Sequence, residues 1–334
     1  MWESGISNAI AEEINMGRFF LLIFSSWLFS FGSFAGNSLA GNSKCSLHTD
    51  STGLFDMAPA PLKSRLHLVN YTVAAVYPAS MCWLYSQWYR DYPQSSFHFF
   101  NDNGEWQQMD KFAHLWDAYS VSKPLMKLYR WAGLSKNKSA IYGAGIAYLF
   151  QTTIEVFDGF SSEWGFSTGD VISNTLGVGT LLSQQLLWDE QRITLKYSFH
   201  ETKYAQYRPD LLGSNVVEGI LKDYNGLTCW MSINPQSFMS ESSRFPKWLS
   251  LGLGYGAEGM TGGKSNPSEV DGIAVPAFER YRQYYIAIDL DLARIHPRSR
   301  FLDGLFKVIN IIHLPSPAIE INQGHGTKFR ALYF

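Results

Sequence analysis

The chain has 334 residues, enough for one large domain or two small ones, and its 27 basic and 29 acidic side chains leave a formal net charge of −2. That balance, with no Lys/Arg run, excludes a polyanion-binding protein and with it nucleic acid as a partner. The aromatic share is high, 16% with 11 Trp, 18 Tyr and 23 Phe, which suits either a large aromatic core or a membrane–water boundary where ring bodies bury and polar tips stay wet.

The first element is a targeting segment. Residues 18–35, "RFFLLIFSSWLFSFGSFA", place one Arg before an apolar run that ends in small residues. That is the order of a secretory signal peptide, and the run is short for a membrane span. Ser33-Phe34-Ala35 and Ser38-Leu39-Ala40 both fit the small-x-small cleavage rule, so residues 1–40 read as a signal region. The acidic stretch before Met16 does not suit its positive end, and translation is expected to start at Met16. Cys45 follows Asn-Ser-Lys, which is no lipobox, so no lipid anchor is expected there. The three cysteines Cys45, Cys82 and Cys229 form no CxxC pair and leave at most one bridge, Cys82 to Cys229.

Residues 41–64, rich in Gly, Ser, Asn and Pro, read as a linker. Four helical segments follow within 65–190: residues 67–89 with a kink expected at Pro78, 107–134 with Pro124, 136–160 with "GAGIA", and 168–188 with Thr168 as N-cap and Asp170 in the first turn. "GAGIA" allows a neighbouring backbone to approach closely. Charges and amides dilute these segments, and each Asp or Lys at the centre of a span would cost roughly 2.5–3.5 kcal/mol. The mean hydropathy of −0.11 also argues against many inner-membrane spans.

From 191 to 334 the period changes to two. "ITLKYSF", "WLSLGLGYGA" and "YYIAIDLDLA" alternate apolar with polar or small residues, which gives each strand one face of each kind. The second and third runs approach the ~9–11 residues of a transmembrane barrel strand. The end "KFRALYF", with terminal Phe334, looks like the last strand of an outer-membrane barrel. Two short helices, 214–224 and 300–312, interrupt this region and count against a plain up-and-down barrel. The expected fold is α+β: a bundle of about four helices, then an antiparallel β region that is membrane-facing or barrel-like.

The apolar helices carry an unusual polar set. Asp110 and His114, and Asp170 and Asn174, stand four residues apart, so each pair shares a helix face. Gln151 and Glu155 repeat the spacing, with Asp158 close by. The two stretches that hold Asp110 and Asp170 are expected to face each other. Such a set could bind a divalent metal or move protons. A buried hydrogen-bond network that sets helix register explains it more simply, and neither a nucleophile motif nor a metal-ligand spacing is present. The sequence therefore assigns no metal and no cofactor.

"WQQMDKFAHLWDAYSVS" and "QTTIEVFDGFSSEWGFSTGDVISNTLGV" resemble the YfiM-like family of predicted periplasmic lipoproteins. More distantly they resemble VanZ-like membrane proteins, with an Asp-Lys-x-x-His helix, a later Glu and an Asp-x-x-x-Asn helix. The matching positions are Asp110, Lys111, His114, Glu155, Asp170 and Asn174. The resemblance covers residues 105–190, extends to longer bacterial versions through the tail, and brings no established catalytic activity, so it carries over no active site. The expectation is an exported, non-enzymatic accessory or structural protein on the periplasmic side of the outer membrane. Its expected partners are outer-membrane lipid and other outer-membrane or periplasmic proteins. The alternative is an enzyme of lipid or cell-wall glycan metabolism that uses the polar cluster.

Overall fold

The computed structural model describes residues 56–333 apart from positions 91, 241 and 271. The expected signal region, the Met16 start, Cys45, Phe334 and most of the expected linker lie outside the described residues. The fold is α+β, as expected.

Helices α1 (Lys63–Trp88), α2 (Met109–Trp131), α3 (Lys136–Gly159) and α4 (Thr168–Trp188) correspond to the four expected segments. Pro78 and Pro124 lie inside α1 and α2. The N-cap of α4 is Ser167 rather than Thr168: its hydroxyl accepts the Asp170 N–H at 3.2 Å, satisfying a donor that no helical carbonyl can reach. Small residues bring α2, α3 and α4 together. Ala118, Leu125, Ala144, Ala147 and Val178 form one buried cluster between them. A Cβ on Gly143 would strike the Met126 backbone, and one on Gly177 would strike the Leu115 carbonyl. Of the glycines in "GAGIA", Gly143 makes the close approach, whereas Gly145 meets open space.

The β region is one six-stranded antiparallel sheet in the order β1 (Ile193–Phe199), β2 (Leu227–Ile233), β3 (Leu249–Glu258), β6 (Tyr281–Leu290), β7 (Ser316–Asn322), β8 (Gly326–Tyr333). A small hairpin, β4 (Glu269–Val270) and β5 (Ile273–Ala274), stands apart. Of the short helices, α5 is Pro209–Leu212, α6 is Val216–Lys222 and α7 is Arg300–Ile309. Strands β2 and β7 had no sequence expectation, and β6 stops at Leu290, short of the expected Asp291 and Leu292.

The alternation in these strands is inverted relative to a soluble sheet. Along β6 and β7 the polar and small residues are buried, and the aliphatics face outward: Asp289 is 1% exposed while Ile288 is 50%. One register row, Lys196–Trp230–Gly254–Tyr285–Glu320, runs across the buried face. Gly254 is needed in that row because any Cβ there would run into the Trp230 ring. The neighbouring row, Tyr197–Cys229–Tyr255–Tyr284–Ile321, lies on the other face.

The sheet curls tightly around its polar face. Strands β2 and β8 are four inter-strand spacings apart, ~19 Å on a flat sheet. Nevertheless the Tyr333 hydroxyl lies 3.0 Å from Thr228 Oγ1, and its ring stacks on Tyr285 at 4.3 Å. The free edge of β1 is met by the segment entering β7: Tyr197 N–H donates to Ile311 O, and His313 N–H donates to Tyr197 O. Strands β1 and β8 are not paired, so the sheet does not close into a barrel. Helix α2 covers the outer face over β1–β3, with Trp116 stacked on Tyr197 at 4.7 Å and Phe112 on Tyr255 at 4.4 Å. Cys82 and Cys229 are both free, the first exposed and the second buried, so the one bridge the sequence allowed is not formed.

Candidate functional site

The site begins with a pinned turn. Trp106, Gln107 and Gln108, just before α2, all adopt left-handed backbone with φ of 47°, 51° and 66°. For residues other than glycine such conformations cost on the order of 1–3 kcal/mol each and persist only where their surroundings fix them. Here Trp106 N–H donates to Gly263 O, the Tyr255 hydroxyl donates to Gln107 O, and Arg282 Nη2 donates to Gln108 Oε1 at 2.6 Å. The sheet thus sets where α2 starts, and with it the positions of Asp110, Lys111 and His114.

All six expected residues come together. Lys111 Nζ lies 2.6 Å from Asp102 Oδ1, 2.9 Å from Asp110 Oδ2 and 2.8 Å from Asp170 Oδ1. His114 faces α4 and α3 with Nδ1, 3.3 Å from Asn174 Oδ1 and 3.5 Å from Glu155 Oε1. Its Nε2 turns the other way, 3.7 Å from Asp110 Oδ1 and 3.8 Å from Asp170 Oδ1. Gln151 and Asp158 are not part of this contact set: Gln151 donates to Asp117 at 2.5 Å, and Asp158 accepts from Tyr89 at 2.7 Å.

Two members were missed from sequence. Asp102 lies in the loop before α2 and also accepts the Ser167 hydroxyl at 2.6 Å. Tyr224 donates to Asp110 Oδ1 at 2.6 Å, tying the start of β2 to the cluster. Neither shares a helical period with the rest, so spacing carried no signal for them.

The electrostatics follow from crowding in a dry place. Burial pushes the Glu155 carboxyl up to about 8, against the opposing pull of His114. Burial and then the Asp110 charge raise Asp170. Burial would also raise Asp110, but His114, Lys111 and the Tyr224 hydroxyl outweigh it and hold that carboxyl low. Burial opposes a charge on His114, yet Asp110, Asp170 and Glu155 raise its imidazole to about 9. Within the cluster three buried polar atoms have no hydrogen bond, Glu155 Oε1, Asn174 Nδ2 and Asp170 Oδ1, the last held instead by its ion pair with Lys111. Carboxylates on one side and an imidazolium on the other can hold helices in register, exchange protons or coordinate a cation. Asp110, His114 and Asp170 place their donor atoms within 4.8 Å of one another.

A second buried network fills the curl of the sheet. Lys196 Nζ lies 2.7 Å from Asp289 Oδ2, Ser232 donates to the same oxygen, and His313 Nδ1 lies 2.8 Å from Asp289 Oδ1. His313 is sandwiched between Ser316, 3.3 Å from its Nε2, and the stacked ring of Trp230 at 3.8 Å. These residues come from four strands and a loop, so only the tertiary fold assembles them. Their satisfied partners and full burial make them the polar filling of the sheet.

Residues 98–184 match the family described as predicted periplasmic lipoprotein (DUF2279). The match spans α2, α3 and most of α4, and includes all six cluster residues. It supports an envelope-associated protein exposed to the periplasm and brings no activity with it. No curated protein and no solved structure matches the chain. Among the described residues no helix is long and apolar enough to cross a membrane.

Proposed function

We propose that this chain is a non-enzymatic accessory or structural subunit of the bacterial outer membrane, working on its periplasmic side within a larger assembly. One observation carries the reading: the curled sheet buries its polar face and leaves its aliphatic face outward. Leu251, Tyr284, Ile286, Ile288, Ile319 and Ile321 are all exposed on it. A water-facing sheet puts its aliphatics inside; a lipid-facing one puts them outside, with polar residues within. A contiguous apolar surface of this kind needs lipid or a partner to cover it.

In this reading the helical cluster is a register-setting network that anchors α2 to α3, α4 and the sheet. The Asp-Lys-x-x-His, Glu and Asp-x-x-x-Asn positions support carrying the resemblance further, to the YfiM-like proteins and more distantly to VanZ-like ones. A second reading is an enzyme of lipid or cell-wall glycan metabolism; the Glu155 carboxyl raised to about 8 beside His114 favours it as a proton-exchanging pair. Density-gradient fractionation of host membranes tests the main reading. The protein should travel with outer-membrane markers; recovery with inner-membrane markers would overturn it.

A further inference from the structure

We propose that helix α7, with Arg298 and Arg300 at its start, lies in the headgroup layer of a phospholipid leaflet, its apolar side against the acyl chains and the two arginines on lipid phosphates. The inference rests on the lipid-facing reading of the sheet and names how one end of the protein meets the bilayer.

The helix is turned the opposite way from an ordinary surface helix, which points its apolar stripe at the core. Asp303, Lys307 and Asn310 recur at spacings of four and three, so they share one side of α7. That side faces inward. Lys307 Nζ lies 2.5 Å from Asp303 Oδ2, and Asn310 donates to Asp291 Oδ1 at 3.0 Å and accepts the Leu292 N–H at 2.8 Å. Asp303 and Asn310 are buried. The opposite side carries Phe301, Leu302, Leu305, Phe306 and Ile309; the first two are exposed and the others half-buried. Rotating the helix to bury its apolar side would strip Asp303 and Asn310 of their partners, at the cost of leaving buried groups unsatisfied.

Continuity and charge say what covers that side. Helix α7 is the crossover between β6 and β7, which reach it at the same end of the sheet, just past the Ala287–Ala318 pair. The outward Ile288 and Ile319 of those strands belong to the exposed aliphatic face, and Ile312, between α7 and β7, is exposed as well. A bilayer over the sheet therefore has its headgroup level near α7. Arg298 and Arg300 are exposed, and among the described residues neither has an ion pair. Asp303, close to them in the chain, is taken by Lys307 and His296. The guanidinium fork matches phosphate oxygens in pairs. A helix with Phe and Leu on one side and cations beside it seats ~5–10 Å into the boundary between headgroups and acyl chains.

The test places a fluorophore on Leu302→Cys in the full chain, with Cys45→Ser and Cys82→Ser and the buried Cys229 kept. The protein is reconstituted into phosphatidylethanolamine–phosphatidylglycerol vesicles, and Ile286→Cys reads the sheet in parallel. Lipid carrying a nitroxide near its headgroup should quench the label at position 302, and aqueous iodide should not. Replacing Arg298→Gln or Arg300→Gln should lower the ratio of lipid-quenched to iodide-quenched label there ~5-fold each, and leave position 286 unchanged. Iodide access at 302 with lipid quenching at 286 overturns the α7 proposal alone. Shielding from iodide without lipid quenching at 302 means that protein covers the helix and also overturns it. Lipid quenching at 302 that ignores both arginines overturns the phosphate contact. Iodide access at both positions overturns the membrane reading and this inference with it.

Discussion

His114 on α2 and Asn174 on α4 meet across the helix interface, with Nδ1 3.3 Å from the amide oxygen. The contact is possible because Gly177, one turn further along α4, lets the two backbones close up against the Leu115 carbonyl. Polar partner and small residue thus act together: the glycine sets the distance and the hydrogen bond sets the register.

Replacing His114 separates a structural role from a catalytic one. His114→Ala leaves Asn174 and Glu155 facing a void, at a cost of about 1–3 kcal/mol. His114→Gln should recover part of that, because an amide still donates and accepts. Chemical denaturation measures both, alongside complementation of a deletion strain. Normal stability with lost complementation in both variants would favour the enzymatic reading.

The glycines of α4 give a contrast within a single helix. Gly177→Ala should destabilise by about 1–3 kcal/mol through overpacking against α2. Gly179→Ala, where a methyl meets open space, should stabilise by about 0.4–1 kcal/mol by lowering the entropy of the unfolded chain. Thermal unfolding of the two variants reads the opposite signs. Equal effects would mean that α2 and α4 are not in this close contact.

Lys111 holds three carboxylates at once, so its loss should be the most damaging change in the cluster. Lys111→Met removes the shared cation from Asp102, Asp110 and Asp170 and should cost about 3–5 kcal/mol. Adding Asp170→Asn should return part of the loss, since one uncompensated charge disappears. A double-mutant cycle measures the coupling, and simple additivity would contradict the geometry.

The cluster also predicts a pH dependence. The imidazole of His114 is raised in the folded protein, from 6.5 to about 9, chiefly by Asp110 and Asp170 against the opposing cost of burial. A raised folded value gives stability that is fully present below the unfolded value and lost as pH rises through the folded one. The stability gap between wild type and His114→Gln should therefore be widest near about pH 6 and shrink towards about pH 9. Denaturation series across this pH range check this; a gap that is flat or widens with pH would contradict the charge on His114.

Much of the helical half was legible in the sequence because its signals are local. Apolar periodicity gave α1–α4, and spacings of four placed Asp110 with His114 and Asp170 with Asn174. The N-cap of α4 was off by one residue, since Ser167 and Thr168 cap equally well on paper and only Ser167 also reaches Asp102. The β half was less legible. Strand β2 is buried along nearly its whole length, so Leu227–Trp230 show no alternation, and β7 carries Pro317 at its second position. Alternation in β3 and β6 revealed two faces without saying which one is buried. Lys196, Asp289 and His313 lie too far apart in the chain for any pattern to join them.

The orientation of the sheet is the central claim, and spin labels on single cysteines test it most directly. Labels at Ile286 and Ile319, on the outward aliphatic face, should be accessible to oxygen dissolved in lipid and shielded from an aqueous nickel reagent when the protein is in outer-membrane vesicles. A label at Tyr71, an exposed aromatic on α1, supplies the comparison within the helical part. Free access of the nickel reagent to both sheet positions would contradict a lipid-facing sheet.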